Sequence, residues 1–274
     1  QIEEQINTIL TQSQKNKDDR LIIDLCEIDK IMSDSVGQKM ANLGEMKNVL
    51  GLRVPEGFVM TAQACDLFFR ENDLYTEVNR KFKTIFSNDI EPMHACSKEI
   101  QELILQARAP NELSQQIANS MNQIIENESL EIRFALRSSA LGEDTLDSSF
   151  AGQYKTLLNI KHDEIIQAYK KILASKYSVT AIQYRLNRGF RDEDIDMCVG
   201  CLAMVDASSG GVAYTRHPFE THNDSIHIQS TWGLPKSVVD GTVNCDLFVV
   251  SRRPSPELSY KEIHEKDKQF ICYA

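Results

Sequence analysis

The stretch that most constrains this chain runs from Phe134 to Ile160, FALRSSALGEDTLDSSFAGQYKTLLNI. It begins as an alternating strand, with Ile132, Phe134 and Leu136 on one face and Arg133, Ala135 and Arg137 on the other. It then breaks into small polar residues, glycines and acids, and resumes as an apolar run from Thr156 to Ile160. A strand that ends in an arginine and opens into a Ser/Gly/acid loop has the parts to hold a polyphosphate. Arg137 offers a planar fork of donors, the Ser138–Ser139 backbone and hydroxyls add more, and Gly142 and Gly152 permit backbone geometry that other residues resist. A surface hairpin loop with an incidental arginine satisfies the same pattern, and the local residues leave the two readings open.

The chain has 274 residues, enough for one large domain or two modest ones. Its net charge of −10 argues against a general nucleic-acid binder, yet leaves room for a local basic pocket. No apolar run approaches a membrane span, and the first residues lack the sections of a signal peptide. The start at Gln rather than Met raises the expectation of a fragment. Seven cysteines without framework spacing read as reduced thiols, which points to a cytoplasmic protein.

Periodicity then sketches the chain. Ile2, Ile6, Ile9 and Leu10 share one face of a short amphipathic helix, followed by a polar tail, so residues 1–35 read as an extension. Met40, Leu43, Met46 and Leu50 recur at helical spacing, with Gly51 at the expected C-terminal cap. Phe58–Met60 starts a strand, and Thr61 is a candidate N-cap for a helix through Phe69. Two helical stripes follow, Ile100, Leu103, Ile104 and Ala107, then Leu113, Ile117, Met121 and Ile124, parted at Pro110–Asn111. Ile165, Ile166, Tyr169, Ile172 and Leu173 make another helix, continued through Ala181, Ile182 and Leu186. The charged RGFRDED segment, 188–194, is the expected boundary between a helix-rich lobe, 36–194, and a strand-rich lobe, 195–274. Residues 197–205 form an apolar run of the kind found in a strand buried on both faces. Further strands are expected at 212–216, near Ile226–Ser230, at 247–251 and at the end, KQFICYA, with RRPSPELS as a loop.

Candidate chemistry is sparse. Lys39 stands near the start of the first strong helix, where free N–H groups and the dipole attract phosphate. Spacing alone equally fits, and favours, a solvated lysine. The Walker pattern, the G-x-S-x-G elbow and H-E-x-x-H are all absent. Cys198 and Cys201 form a C-x-x-C inside an apolar strand pattern, which fits buried, inert thiols. His217, His222 and His227 read as ordinary loop and sheet residues, and Asp194–Asp196 as the approach to the buried strand.

Four ordered segments resemble the N-terminal nucleotide-binding domain of the phosphoenolpyruvate synthase and pyruvate phosphate dikinase family. They are VGQKMANLGEM with VPEGFVMT (36–46 and 54–61), RSSALGEDTLDSSFAGQ (137–153), MVDASSGGVAYTRHP (204–218) and WGLPKSVVDGTVNCDLFVV (232–250). The resemblance implies an α+β ATP-grasp fold, two lobes holding ATP between them and truncated at the C-terminus. It implies that Lys39 contacts the ATP phosphates and that Arg137 clamps them during transfer. Ser138, Ser139, Asp144 and Gly152 then belong to a loop closing over the phosphates, Met204 and Val205 to the adenine hinge, and Thr215 to the nucleotide site. Two positions depart from the family pattern: Gln38 replaces a glycine, and Pro235–Lys236 replaces Gly-Glu. The Mg²⁺ ligands are expected beyond Ala274, so no metal ligand is assigned within the chain. The resemblance implies transfer from ATP to a histidine on a separate domain and thence to pyruvate on another, with this chain alone inactive. Alternatives are a related phosphotransferase with another acceptor, such as rifampicin or glucan, or a degenerate, non-catalytic nucleotide-binding domain. Neither a nucleic acid nor a membrane is an expected partner.

Overall fold

The computed structural model describes residues 18–83, 90–126, 132–141, 144–145, 148–149, 154–189, 192, 195–217 and 224–272. The chain divides into two compact units, Gln1–Met204 and Val205–Ala274. It combines helices with antiparallel sheets, an α+β chain. None of the described helices is long and apolar enough to cross a membrane.

The strands of the first unit are β1 (Ile22–Asp24), β2 (Gly57–Met60), β3 (Phe134–Ala140), β4 (Asp144–Thr145), β5 (Ser148–Ser149), β6 (Thr156–Ile160) and β7 (Met197–Ala203). Five of them build one sheet in the order β1-β2-β7-β3-β6, every pairing antiparallel. The β4–β5 pair is a separate ribbon. Helices α1 (Ser33–Val36) and α2 (Gln38–Asn48) cover one face. The other face lies under α3 (Ala62–Glu71), α4 (Leu74–Phe82), α5 (Ile90–Gln106), α6 (Asn111–Glu126), α7 (Ile165–Ser175) and α8 (Val179–Arg188). The sequence periodicity has a direct physical outcome here. Ile100 and Ile104 of α5, and Leu113, Ile117, Met121 and Ile124 of α6, all point into the larger core. Thr61 caps α3 as expected, accepting from the Ala64 N–H at 3.3 Å, and its hydroxyl also donates to the Arg20 carbonyl at 2.7 Å.

Strand β7 is central, and it is apolar throughout because both its faces are covered. Met197, Val199 and Cys201 join the larger core, while Cys198 and Leu202 join the smaller one. Cys198 and Cys201 therefore lie on opposite faces of one strand and share no site. Burial pushes the Cys201 thiol well above its ordinary value, away from the reactive thiolate.

Two expected boundaries move. The extension expected over 1–35 is part of the body from Asp18 onward. β1 pairs with β2, and Leu25 and Ile28 are fully buried in the smaller core. The division expected at 188–194 falls instead between Met204 and Val205, because β7 pairs with both β2 and β3 and cannot belong to a second lobe. Within the charged segment before β7, Asp192 is less solvated than the composition implies. Asp192 is drawn against two nearly buried cations, with its Oδ1 3.3 Å from Lys176 Nζ and 3.5 Å from Arg185 Nη2. Tyr177 donates its hydroxyl to Asp192 Oδ2 at 2.8 Å.

The second unit is a four-stranded antiparallel sheet in the order β11-β10-β9-β8. Its strands are β8 (Ser209–Tyr214), β9 (Ser225–Trp232), β10 (Asp246–Ser251) and β11 (Glu257–Glu262), and a short helix α9 (Lys236–Val239) packs against β8 and β9. Strand β11 falls where a loop was expected. It is an exposed edge, ELSYKE, whose apolar positions are limited to Leu258 and Tyr260, and its first three residues overlap the expected loop. The expected terminal strand reduces to a single bridge between Gly233 and Phe270. Beyond β11 the chain is fastened by Asp246, which accepts from the His264 N–H at 3.0 Å and from the buried ammonium of Lys266.

Removing the carboxylate in Asp192→Ala strands two buried cations, and it is expected to destabilise the first unit by about 3–5 kcal/mol in urea unfolding. An effect below about 1 kcal/mol would show that the cluster is effectively solvated. At Asp246, burial raises the pKa, but the hydrogen bonds from Lys266 and His264 outweigh it and hold the carboxyl below its usual range. Its contribution is therefore fully present above the ordinary aspartate pKa of about 3.9, and is lost as pH falls through the lower folded value. The hydrogen-exchange protection factor at β10, taken against intrinsic exchange at each pH, is expected to fall below about pH 4 in the wild type. Asp246→Asn is expected to lack this acid-linked step.

Candidate functional site

Lys39 and Arg137 come to one face of the five-stranded sheet. Along β3, Phe134 and Leu136 enter the larger core, so Ala135, Arg137 and Ser139 face the side that carries α2. Arg137 lies opposite Gly200 on β7 and Thr156 on β6, and it is the exposed residue of an otherwise buried strand. Lys39 is half-buried in the first turn of α2, directly after Gln38.

Two glycines let α2 approach this closely. Gly37, the N-cap of α2, has φ 76° and ψ 157°. A Cβ there would stand 2.0 Å from the Ser139 carbonyl oxygen and 2.4 Å from Ser139 Oγ. Both the conformation and the space exclude a side chain. At Gly200 a Cβ would stand 2.3 Å from Met40 Sδ, so Met40 rests on bare strand backbone. With the helix seated, the Met40 N–H donates to Ser139 Oγ at 3.2 Å. On the same face, Cys198 Sγ donates to the Ser35 carbonyl at 3.3 Å.

Both cations thus belong to elements on one side of the sheet. A helix N-terminus contributes partial positive charge and backbone donors. Lys39 adds a point charge, and Arg137 adds a planar fork suited to two oxygens at once. The set is matched to phosphate oxygens. Gln38, where the family pattern has glycine, directs its amide along the helix to Asn42 Oδ1 at 2.8 Å.

The other expected residues divide. Ser139 is fully buried, its hydroxyl engaged by Met40. Ser138 is 4% exposed and sits opposite Val199, on the face of the larger core and away from Arg137. Asp144 pairs its backbone with Ser149 in the β4–β5 ribbon. Gly152 lies outside the described residues. Met204 ends the first unit, its N–H donating to the Arg133 carbonyl at 2.8 Å and its sulfur accepting from the Asn159 N–H at 2.9 Å. Val205 begins the second unit and is 55% exposed. Thr215, in the second unit, is exposed and accepts on its carbonyl from Arg252. Lys236, the other departure from the family pattern, pairs with Asp240 and lies 5.8 Å from the Phe270 ring centroid.

Periodicity placed Met40 on the apolar stripe of its helix, but Gly200, which makes room for it, went unremarked. A glycine inside an apolar strand pattern was the available signal, since it marks either a bulge or the close approach of another element.

The chain matches the family described as "Pyruvate phosphate dikinase, AMP/ATP-binding domain" over residues 33–274. It is 34% identical over 266 residues to a probable phosphoenolpyruvate synthase of Methanocaldococcus jannaschii, covering 96% of this chain and 22% of that protein. It is 35% identical over 234 residues to a phosphoenolpyruvate synthase of Deinococcus radiodurans, covering 83% of this chain and 29% of that protein. A rifampicin phosphotransferase of Bacillus cereus is 30% identical over 230 residues, covering 84% of this chain and 26% of that protein. The chain thus spans between about a fifth and a third of the length of these relatives. With a match along nearly its whole length, the chain belongs to the pyruvate phosphate dikinase AMP/ATP-binding domain family.

Proposed function

We propose that this chain is the ATP-binding part of a phosphoenolpyruvate synthase-like phosphotransferase, and that Lys39 and Arg137 hold the ATP phosphates. The observation that carries this is their placement on one sheet face, beside the N-terminus of α2, in a chain of an AMP/ATP-binding family. In phosphoryl transfer the protein contributes mainly positioning and charge neutralisation. Arg137 would bind two phosphate oxygens in its fork and Lys39 a third, orienting the terminal phosphoryl group toward its acceptor. Preorganised donors of this kind are worth most where charge develops. In this reading the fold is ATP-grasp, and Asp144, Gly152, Met204, Val205 and Thr215 belong to its nucleotide-binding motifs, whereas Ser138, which faces the larger core away from Arg137, is not a phosphate ligand.

Among the described residues no group of three or more His, Cys, Asp or Glu is placed to hold a metal ion. Mg²⁺ is generally held by substrate phosphates together with one or two carboxylates, so it would reach this site on the ATP phosphates. The acceptor in the whole protein would be a histidine on a separate domain, and then pyruvate, in line with the names of the synthase relatives. The rifampicin phosphotransferase relative supports a second reading with a different final acceptor. Pyruvate-dependent against rifampicin-dependent ATP consumption by the full-length protein separates the two. The chain alone is expected to form no phosphoenolpyruvate from ATP and pyruvate.

Titration calorimetry with ATP and Mg²⁺ tests the site. Each of Lys39→Ala and Arg137→Ala removes a charge-assisted contact, and each is expected to weaken ATP binding roughly ten- to hundredfold. ATP binding that ignores both substitutions would sink the assignment. A folded wild-type chain that binds no ATP would instead favour a degenerate domain.

A further inference from the structure

Helix α2 lacks the local cap that most helices use. Its N-cap is Gly37, which makes no side-chain cap hydrogen bond. The N–H of Met40, at the third helical position, is where a Ser or Asp at the N-cap would normally direct its oxygen. Here that acceptor is Ser139 Oγ, from a residue 99 positions away on β3. The same serine presents its carbonyl and hydroxyl to the bare Cα of Gly37, so it touches both the cap and the first turn. Ser139 is fully buried in this arrangement. It stands two residues beyond Arg137 on the same strand face, and Met40 directly follows Lys39.

We propose that Ser139 is a positioning residue rather than a direct phosphate ligand, capping the Lys39 helix from the Arg137 strand so that the two cations meet the phosphates as one rigid unit. The inference rests on the phosphate-site reading above and gives a specific job to a serine that the motif alone assigns to the ligand. A local N-cap would fix only the helix. A cap supplied by the strand also fixes the helix relative to the arginine, which lowers the ordering cost when both cations engage one anion.

The test is a cycle of substitutions in this chain, read by calorimetry with Mg²⁺-ATP and with adenosine. Ser139→Ala is expected to weaken ATP binding about fivefold, the effect of a lost N-cap, and to leave adenosine binding unchanged. Ser97→Ala controls for a lost buried hydroxyl far from the site, since Ser97 donates to the Tyr177 carbonyl at 2.7 Å. It is expected to lower thermal stability without moving ATP affinity. Because Ser139 acts through the helix, Ser139→Ala is expected to cost little further in a Lys39→Ala background. If Ser139→Ala does not fold, Ser139→Cys fills the same space with a weaker acceptor and is expected to show a smaller loss in the same direction. Unchanged ATP affinity in a folded Ser139 variant, or an equal loss with and without Lys39, overturns the positioning role and leaves the site reading intact. Wild-type ATP affinity in both Lys39→Ala and Arg137→Ala overturns the site reading and the inference with it.

Discussion

The first unit depends on how closely one helix can be laid on one sheet. The N-terminus of α2 meets the β3 backbone directly because Gly37 has no side chain there, and Gly200 on β7 leaves room for the Met40 side chain. The Met40–Ser139 hydrogen bond then closes the contact in a buried place, where an unpaired helix N–H would be costly. Everything proposed for the phosphates follows from that seat.

The periodic elements were legible because their residues answer one demand, burial on a known face. Ile100 and Ile104, or Leu113 and Ile117, have no other reason to recur as they do. The doubly buried character of β7 was legible for the same reason. What the pattern did not reveal was which sheet β7 joins, since a continuous apolar run fits any covered strand. Hence the domain boundary was placed too early. Strand β11 was missed because the prolines just before it read as a loop, although Leu258 and Tyr260 alternate with polar residues as an edge strand allows. Within the site, Lys39 and Arg137 were found through ordered motifs, whereas spacing alone could not separate Lys39 from a solvated lysine. Ser138 and Ser139 look alike in sequence. Only strand alternation, fixed by the pairing of Ser138 with Val199 and of Ser139 with Cys198, sends them to opposite faces.

Buried polar groups pin segments within each unit. Asp192 between Lys176 and Arg185 holds the segment leading into β7, and Asp246 with Lys266 holds the segment that follows β11. In each case a charged side chain is tolerated away from water because its partner comes from a different stretch of chain. Such pairs add less to net stability than their closeness implies, but they specify which segment lies where.

The sheet order also sets the timetable of assembly. The middle strand is the last of the five to emerge from the ribosome, since β7 follows β1, β2, β3 and β6 in the chain. Until it arrives, β1–β2 and β3–β6 can exist only as two separate ribbons, each with an open apolar edge. Gly57 must wait for Leu202, a pairing of long sequence separation that tends to form slowly. Nascent chains stalled before β7 therefore carry two unpaired edges of the kind that recruit neighbouring chains, and they become prime clients for a chaperone that shields exposed strands.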